Sequence, residues 1–258
     1  MQIRHLEYHD AAEANHWWFA ARRQIVLDLI ARILNGTARD DIRLLDIGCG
    51  AGGMLNYLAR WGTAVGVDSS AAAVELARRK TDSQVLQGSL PDGVPFADAA
   101  FDVITLLDVV EHVQEDVGAL DRVARMLRPG GFAVLTVPAY RFLWSEHDVV
   151  NEHKRRYTRT ELRRKLEAVG LVVRKISYYN MFLFPPIAMV RLLRRLGPQT
   201  ARADEGRVPP VINAILRTVF ASEAHLLNRT SLPFGISVIA VAERPAGRPD
   251  GGGNVDDA

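Results

Sequence analysis

The feature that most constrains this chain is a glycine-rich stretch that runs from Leu44 to Gly53. The apolar run Ile42 to Ile47 leads into it and is typical of a buried parallel strand. The apolar spacing that follows Met54 predicts a helix. In a strand, glycine turn and helix of this kind, backbone N–H groups and the helix N-terminus face a ligand at the carboxyl end of the strand. We therefore expect an α/β fold with a ligand site at this turn.

Two classes of ligand are compatible with such a turn. Gly48, Gly50 and Gly53 fit G-x-G-x-x-G, which alone is a weak signal for a dinucleotide site. Asp46 lies two residues before the first glycine, and its carboxylate would repel a pyrophosphate but would suit a cationic ligand. S-adenosylmethionine (SAM) is such a ligand, because it carries an ammonium and a sulfonium group and no phosphate. With Asp46, the turn resembles the first motif, D-x-G-x-G, of the class I SAM-dependent methyltransferases; an ordinary glycine-rich turn is the alternative.

Two further segments carry the same resemblance. Residues 101–113 contain F-D-x-V followed by E-H-V, and residues 127–131 read L-R-P-G-G. The proline and glycines of the second segment predict a tight turn from a helix into a strand, so this segment supports the fold rather than the chemistry. The resemblance implies a Rossmann-like, doubly wound sheet of seven strands, mostly parallel, with an antiparallel last strand. It also implies SAM as the cofactor and methyl transfer as the reaction.

The cofactor site follows from the same resemblance. The residues expected there are Asp46, Gly48, Cys49, Gly50, Asp68, Ser69, Ser89, Leu90, Leu107, Asp108 and Val109. The family usually has an acid for the adenine amino group shortly after the third strand. This chain has Ser89 at that position, with Asp92 slightly displaced, and this is its clearest departure from the family pattern.

Asp68 is the second acid that we expect at the cofactor. It ends the second predicted strand and lies about 20 residues beyond Gly48, the separation at which an acid can bind ribose hydroxyls. A carboxylate suits that role because it accepts hydrogen bonds from both hydroxyls without a competing donor. In the alternative, Asp68 caps the next helix, a role that Ser69 or Ser70 could also fill.

Three histidines are the candidate catalytic bases. Methyl transfer from a sulfonium is an in-line displacement, so positioning and the exclusion of water carry most of the rate. A base is needed only where the attacking group starts out protonated. His147 and His153 are the first candidates and His112 the third, because imidazole titrates near neutral pH. Alternatively, His112 together with Glu111 only opens the next helix.

The stretch 144–158 is the most distinctive part of the sequence. It holds two histidines, three acids and three bases between a predicted strand and a helix expected to begin at Thr160. Loops at the carboxyl edge of such a sheet carry specificity, so we expect this stretch to recognise the substrate, with a solvated charge run as the alternative. The substrate contacts expected in it are Asp148, Arg155, Arg156 and Tyr157, with the arginines holding a carboxylate or phosphate. His147, Asp148 and His153 match no known metal-ligand motif, so no metal is expected.

The segment before the first strand is expected to form a lid. Apolar residues between Ala11 and Leu34 recur at helical spacing, and the three adjacent aromatics 17–19 cannot all face one core. In the family that the chain resembles, this segment often folds over the SAM pocket. Trp18 and Arg23 are therefore candidate substrate contacts, with packing of the helix on the sheet edge as the alternative.

A long insertion separates the last two predicted strands. About 50 residues lie between Tyr178 and Ile236, where the family usually has a short hairpin, and they show two helical patterns. The expected organisation is a helical lid (1–40), a SAM-binding core (41–180), a helical insertion (181–233), the last core strand (234–244) and a disordered tail (245–258). The apolar part of 181–196 is too short and too interrupted by proline to span a membrane. Its arginines would suit peripheral contact with an anionic bilayer or a lipid phosphate, but the sequence favours a lid packed on the domain or a dimer contact.

The composition limits the size of the core, the cellular compartment and the kinds of partner that we expect. A chain of 258 residues, 48% of them hydrophobic, can bury one sizeable core. The single cysteine, Cys49, excludes an internal disulfide, and with no signal peptide expected at the start it fits a reducing cytoplasm. A net charge of +2 gives no reason to expect a nucleic-acid partner. The oligomeric state stays open.

The segments 16–19 (H-W-W-F) and 146–157 look like those of a bacterial branch of the family, and more distantly the chain resembles the quinone-biosynthesis methyltransferases. We therefore expect a small hydroxylated acceptor. Anionic and lipid-linked compounds are among the candidates. Two other functions are compatible with parts of the sequence. An NAD-dependent oxidoreductase would have neither an acid at Asp46 nor a Pro-Gly-Gly turn before a late strand. A SAM-binding protein without turnover stays open because of the serine at position 89.

Overall fold

A computed structural model describes residues 16–35, 41–196 and 208–247. They contain one seven-stranded sheet in the order β3-β2-β1-β4-β5-β7-β6. The strands are β1 (Arg43–Ile47), β2 (Thr63–Asp68), β3 (Gln84–Gln87), β4 (Phe101–Leu107), β5 (Leu127–Pro138), β6 (Val172–Tyr179) and β7 (Ser237–Glu243). Only β7 runs antiparallel to its neighbours, β5 and β6, and the other pairs are parallel. The predicted fold class is confirmed.

Helices cover both faces of the sheet. They are α1 (Trp17–Leu34), α2 (Leu55–Leu58), α3 (Ala71–Arg78), α4 (Asp116–Met126), α5 (Glu146–Val150), α6 (Arg159–Ala168), α7 (Phe184–Leu196) and α8 (Pro210–Leu227). Two single turns of 3₁₀ helix, Val110–His112 and Arg141–Leu143, follow β4 and β5. In β4, Val103 packs with α1 and α8 on one face, whereas Ile104 packs with α4 and α6 on the other. A strand covered on both faces needs apolar side chains at nearly every position, which explains the continuous apolar runs in the sequence.

The order of the strands places a crevice beside β1. The chain continues from β1 to β2 on one side, and β4 later pairs with β1 on its other side. This reversal is the switch point at which open α/β sheets bind ligands, outside the carboxyl ends of their strands. The glycine turn after β1 and the segment after β4 therefore lie next to each other.

The N-terminal helix and the insertion pack on each other. The Trp18 ring stacks on Phe220 of α8 with centroids 5.2 Å apart, and the Trp17 backbone amide donates to Asn213 Oδ1 at 2.8 Å. The domain boundaries expected from the sequence stay a prediction. Residues 1–15, 36–40, 197–207 and 248–258, which include most of the expected tail, lie outside the described residues. Among the described helices, none has the length and apolar character needed to cross a membrane.

The prediction that α6 begins at Thr160 is wrong by one residue, because the helix begins at Arg159. Thr158 is the N-cap, because its side chain accepts from the Glu161 backbone amide while the Glu161 carboxylate accepts from the Thr158 amide. This reciprocal capping box satisfies two backbone donors that would otherwise lack partners.

Candidate active site

The glycine turn lies directly against the segment that follows β4. Gly48 has a φ of 72°, and a Cβ atom there would meet Val109 Cγ2 at 2.4 Å, so both the backbone conformation and the space require glycine. The backbone amides of Gly48 and Cys49 donate to the Val67 carbonyl at 2.8 and 3.1 Å. The turn is thereby fixed between β2 on one side and the β4 segment on the other.

Asp68 holds the other side of this turn. Its Oδ2 accepts from the Gly50 amide at 2.9 Å, and its Oδ1 accepts from the Ser70 amide at 2.8 Å. Ser70, rather than Asp68 or Ser69, caps α3 through its hydroxyl. The Asp68 carboxylate is partly exposed, and each oxygen has a further lone pair, so it can still accept hydrogen bonds from a ligand. The ribose-binding role stays a prediction that this geometry allows.

Asp46 lies in β1 and faces Thr105 of the neighbouring strand β4. Its side chain is buried, and its Oδ1 accepts from the Thr105 hydroxyl at 2.6 Å. Asp46 therefore helps to hold the two strands together and places a negative charge next to the glycine turn. At the far edge of the crevice, Ser89 is exposed just past β3 and Leu90 is half-buried against the core, so the adenine contacts expected there stay predictions.

Arg22 of α1 forms an ion pair with Asp108, the residue that follows β4. Asp108 has a φ of 59° and also accepts from the Thr136 hydroxyl at 3.0 Å. Arg22 is buried, so the N-terminal helix closes over the end of β4. Sequence reasoning selected the neighbouring Arg23, whose guanidinium instead lies 4.9 Å over the Tyr57 ring.

Glu111, His112 and His153 form a compact group just past β4, which we call the Glu-His-His cluster. One potential ligand atom from each of the three lies within 4.8 Å of the others. The rings of His112 and His153 are nearly perpendicular, with centroids 4.8 Å apart. Burial, together with the nearby Asp108 carboxylate, raises the pKa of Glu111 well above its ordinary value. Burial and the neighbouring His153 lower the pKa of His112.

Asp148 orients His153. The carboxylate Oδ1 lies 2.8 Å from His153 Nδ1, which leaves Nε2 on the side of Glu111. Asp148 also accepts two hydrogen bonds from Arg156 and one from the Ser145 amide. Burial opposes the charge of Asp148, but the hydrogen bonds from His153 and Arg156 outweigh it and hold its pKa well below the usual range. The Asp148 side chain is 0% exposed, which favours this structural role over the substrate contact expected from the sequence.

Arg155, Arg156 and Tyr157 of this loop also have partners inside the protein. Asp116 of α4 accepts from the Tyr157 hydroxyl at 2.8 Å and pairs with Arg155 at 2.9 Å and Lys165 at 2.8 Å. Burial would raise the pKa of Asp116, but these three partners lower it. The Arg156 guanidinium is buried and also donates to the Ala139 carbonyl. These contacts favour structural roles for the two arginines and the tyrosine instead of the substrate contacts expected from the sequence.

Neither His147 nor Trp18 is part of the cluster. The His147 ring is 6.0 Å from that of His153, and burial together with Arg191 lowers its pKa to about 4. Trp18 is packed between Phe220 and Tyr179. Of the three candidate bases, therefore, only His112 and His153 meet at one place. The sequence did not predict that Glu111 and His112 lie next to His153. Forty residues separate the two parts of the cluster along the chain, and only the fold brings them together.

Comparison with known proteins places the chain in a family. Residues 17–176, more than half of the chain, match the family model described as "Methyltransferase domain". The chain belongs to this methyltransferase family. The predicted resemblance to the class I SAM-dependent methyltransferases is therefore confirmed.

Curated relatives of this methyltransferase chain carry more specific names. A protein of Alkalilimnicola ehrlichii named ubiquinone biosynthesis O-methyltransferase is 30% identical over 139 residues, which cover 48% of this chain and 56% of that protein. A protein of the same name from Maricaulis maris is 37% identical over 101 residues, covering 37% of this chain and 40% of its own length. The chain thus spans about half the length of the curated relatives it matches.

Solved structures share the fold of this methyltransferase. Geranyl diphosphate methyltransferase in complex with SAM superposes with a TM-score of 0.58 at 18% identity, covering 88% of this chain and 85% of the other. A Galdieria sulphuraria protein described as a sarcosine dimethylglycine methyltransferase gives a TM-score of 0.60 at 15% identity, covering 87% and 86%.

Proposed function

We propose that this protein transfers the methyl group of SAM to a hydroxyl oxygen of a small acceptor. The observation that carries the proposal is the contact between Gly48 and Val109. It places the glycine turn, where the cofactor is expected, beside the segment that holds Glu111 and His112. The names of the curated relatives, which state O-methylation, support oxygen as the atom that is methylated.

Each side of the proposed site has a separate task. On the cofactor side, Asp68 accepts hydrogen bonds from the ribose and Asp46 places negative charge near the cationic cofactor. On the acceptor side, the hydroxyl oxygen forms a bond to the methyl carbon while the carbon–sulfur bond breaks, and that electron pair stays on sulfur. The hydroxyl proton must leave, and the Glu-His-His cluster is the group that we assign to this step. The ion pair of Arg22 and Asp108 keeps α1 closed over the crevice, which helps to exclude water.

Methyl transfer from radiolabelled SAM to a panel of phenols and catechols tests this function. Replacing His153 by glutamine is expected to lower kcat by about a hundredfold or more, the usual contribution of a group that assists proton removal. His225→Gln is the matched control, because that histidine is exposed on α8 and outside the site. Equal loss in both variants, or transfer only to amines, would contradict the proposal.

We further propose that the acceptor is presented at a membrane surface. The observation that favours this is an unusual set of exposed apolar side chains on the insertion, among them Met189 and Leu193 of α7 and Val211 and Ile215 of α8. The sequence of α7 carries three arginines and no acid, a charge that suits anionic lipid headgroups.

Sedimentation with lipid vesicles tests the surface contact. The intact protein is expected to bind vesicles rich in anionic lipid and to bind zwitterionic vesicles weakly, with binding reduced in the double variant Met189→Ser/Leu193→Ser. The control is Val117→Ser, an exposed apolar residue on α4. Concentration-dependent self-association in place of vesicle binding would show that the face is a protein contact and would overturn this part of the proposal.

A further inference from the structure

The Glu-His-His cluster contains a buried carboxylate that nothing nearby neutralises by direct contact. Glu111 is 0% exposed, and neither of its carboxylate oxygens has a hydrogen-bond partner among the described residues. His153 Nε2 is 4.0 Å from Oε1, which is beyond hydrogen-bonding distance. Burying a carboxylate without partners is strongly unfavourable, so proteins retain such groups where they bind something.

The two imidazoles complete a set of donor atoms around that carboxylate. Potential ligand atoms of Glu111, His112 and His153 all lie within 4.8 Å of one another. Bonds of about 2.0–2.2 Å to one cation would need these atoms to come to roughly 3–4 Å apart, a movement that side-chain torsions can supply. His112 is exposed, so the cluster is open to solvent on one side.

His153 is held as a metal-binding histidine usually is. Its Nδ1 is engaged by the Asp148 carboxylate at 2.8 Å, and Asp148 is fixed in turn by Arg156. A carboxylate on one ring nitrogen sets the tautomer and turns the other nitrogen toward a metal. Here the other nitrogen, Nε2, is on the side of Glu111.

We propose that Glu111, His112 and His153 bind one divalent transition-metal cation. Two imidazoles and one carboxylate suit Zn²⁺ and its first-row neighbours better than Mg²⁺, which prefers oxygen ligands. Three protein ligands leave at least one coordination position open, as in catalytic rather than structural sites. The set considered from the sequence, His147 with Asp148 and His153, is not the site, because both oxygens of Asp148 already accept hydrogen bonds from Arg156.

The role of this cation rests on the proposed function, although the site itself does not. With the cation bound, the cluster would promote proton loss through the metal instead of accepting the proton itself. An acceptor hydroxyl in the open position would bind the cation through oxygen, which lowers the pKa of the hydroxyl and releases its proton to water. The metal-bound oxygen then forms the bond to the methyl carbon as the carbon–sulfur bond breaks. The cation changes neither charge nor oxidation state, so no redox partner is required.

Titration of the tag-free, chelator-treated protein with Zn²⁺, followed by calorimetry, tests the site directly. One equivalent is expected to bind the wild type, and His112→Ala and Glu111→Gln are each expected to weaken binding at least tenfold. His147→Ala and His225→Ala are the matched controls and are expected to bind like the wild type. Substitution with Co²⁺ gives a second readout, because its visible spectrum should show coordination by nitrogen and should change in His112→Ala.

The outcomes separate the site from the function. Binding that survives in both His112→Ala and Glu111→Gln, or that is lost in His147→Ala, would overturn the proposed ligand set. If the protein binds SAM and transfers methyl groups equally well with chelator present, the proposed role of the metal in the reaction would be contradicted, and the proposed function would stay intact. One equivalent of Zn²⁺ without SAM binding would support the site and contradict the proposed function.

Discussion

The Arg156 guanidinium donates two hydrogen bonds to the Asp148 carboxylate, of 2.7 and 2.9 Å, with both side chains almost completely buried. This pair converts a highly charged loop into a rigid support. Asp148, fixed on one side by Arg156, holds the His153 ring on the other. The orientation of His153 at the cluster therefore depends on an arginine that does not touch the cluster itself.

Replacing Arg156 by methionine should destabilise the protein severely. The change leaves Asp148 buried without its main counter-charge, which costs about 3–5 kcal/mol in the free energy of unfolding. Urea unfolding measures this loss. The control is Arg163→Met, which removes an exposed pair with Glu167 and should cost well under about 1 kcal/mol. Equal, small effects of the two substitutions would show that the Asp148 network is not formed in solution.

A matched pair of glycine variants tests the contact between the turn and the β4 segment. Gly48 and Gly130 both have positive φ, of 72° and 80°, so alanine is strained at either position. Only at Gly48 would the new Cβ also clash with Val109, since a Cβ at Gly130 has no heavy atom of the described residues within 4 Å. Gly48→Ala should therefore abolish SAM binding, while Gly130→Ala should leave the SAM affinity unchanged. Calorimetric titration measures the SAM affinity of both variants. Equal affinities would contradict the contact between Gly48 and Val109.

The buried His147 should make stability depend on pH in the weakly acidic range. Its pKa is lowered by burial from 6.5 to about 4, so between these values the unfolded chain binds more protons than the folded one. The stabilisation is fully present above about pH 6.5 and is lost as the pH falls toward 4, by up to about 1.4 kcal/mol per pH unit. The unfolding free energy of His147→Gln should fall less steeply than that of the wild type. Parallel curves from pH 7 to 4 would refute the prediction.

Arg22 and Arg23 are adjacent, but removing their charges should have very different effects. Arg22→Met removes the counter-charge of Asp108 beneath α1 but leaves its hydrogen bond from Thr136, and we expect a loss of about 2–3 kcal/mol in unfolding free energy together with weaker SAM binding. Arg23→Met removes a contact with the Tyr57 ring, which is worth about 0.5–1 kcal/mol. Urea unfolding and SAM titration of the two variants test this difference. A larger loss of stability and SAM affinity in Arg23→Met than in Arg22→Met would contradict this prediction and would favour the site role that the sequence predicts for Arg23.

The sequence predicted the fold and the glycine turn after β1 well, because these depend on local patterns. The apolar run before Gly48 and the position of Asp68 at the end of β2 each follow from rules that involve a few neighbouring residues. The tight turn expected at residues 127–131, in contrast, is wrong, because these residues lie inside β5, which begins at Leu127. Arg22 was missed, although a signal was present. It lies three, four and seven residues before the buried Ile25, Val26 and Leu29, and so shares the apolar face of α1.

The acceptor side was less predictable for a physical reason. A charged loop shows which groups are available but not whether they point outward to a substrate or inward to one another. Arg155, Arg156 and Asp148 point inward, because α4 and the end of β5 supply partners that only the fold brings near. The sequence around Glu111 predicts the start of a helix. Its position beside His153 depends on the fold, so the sequence could not identify the two residues as neighbours.

The central claim is that the glycine turn binds SAM. Calorimetric titration with SAM, its demethylated product and NAD, for the wild type and for Asp68→Ala, tests it most directly. We predict that SAM binds with a dissociation constant of about 1–100 µM, in the range of common enzyme substrates, that the Asp68→Ala variant loses this binding, and that NAD does not bind. Binding of NAD without affinity for SAM would contradict the account and would make the turn a dinucleotide site.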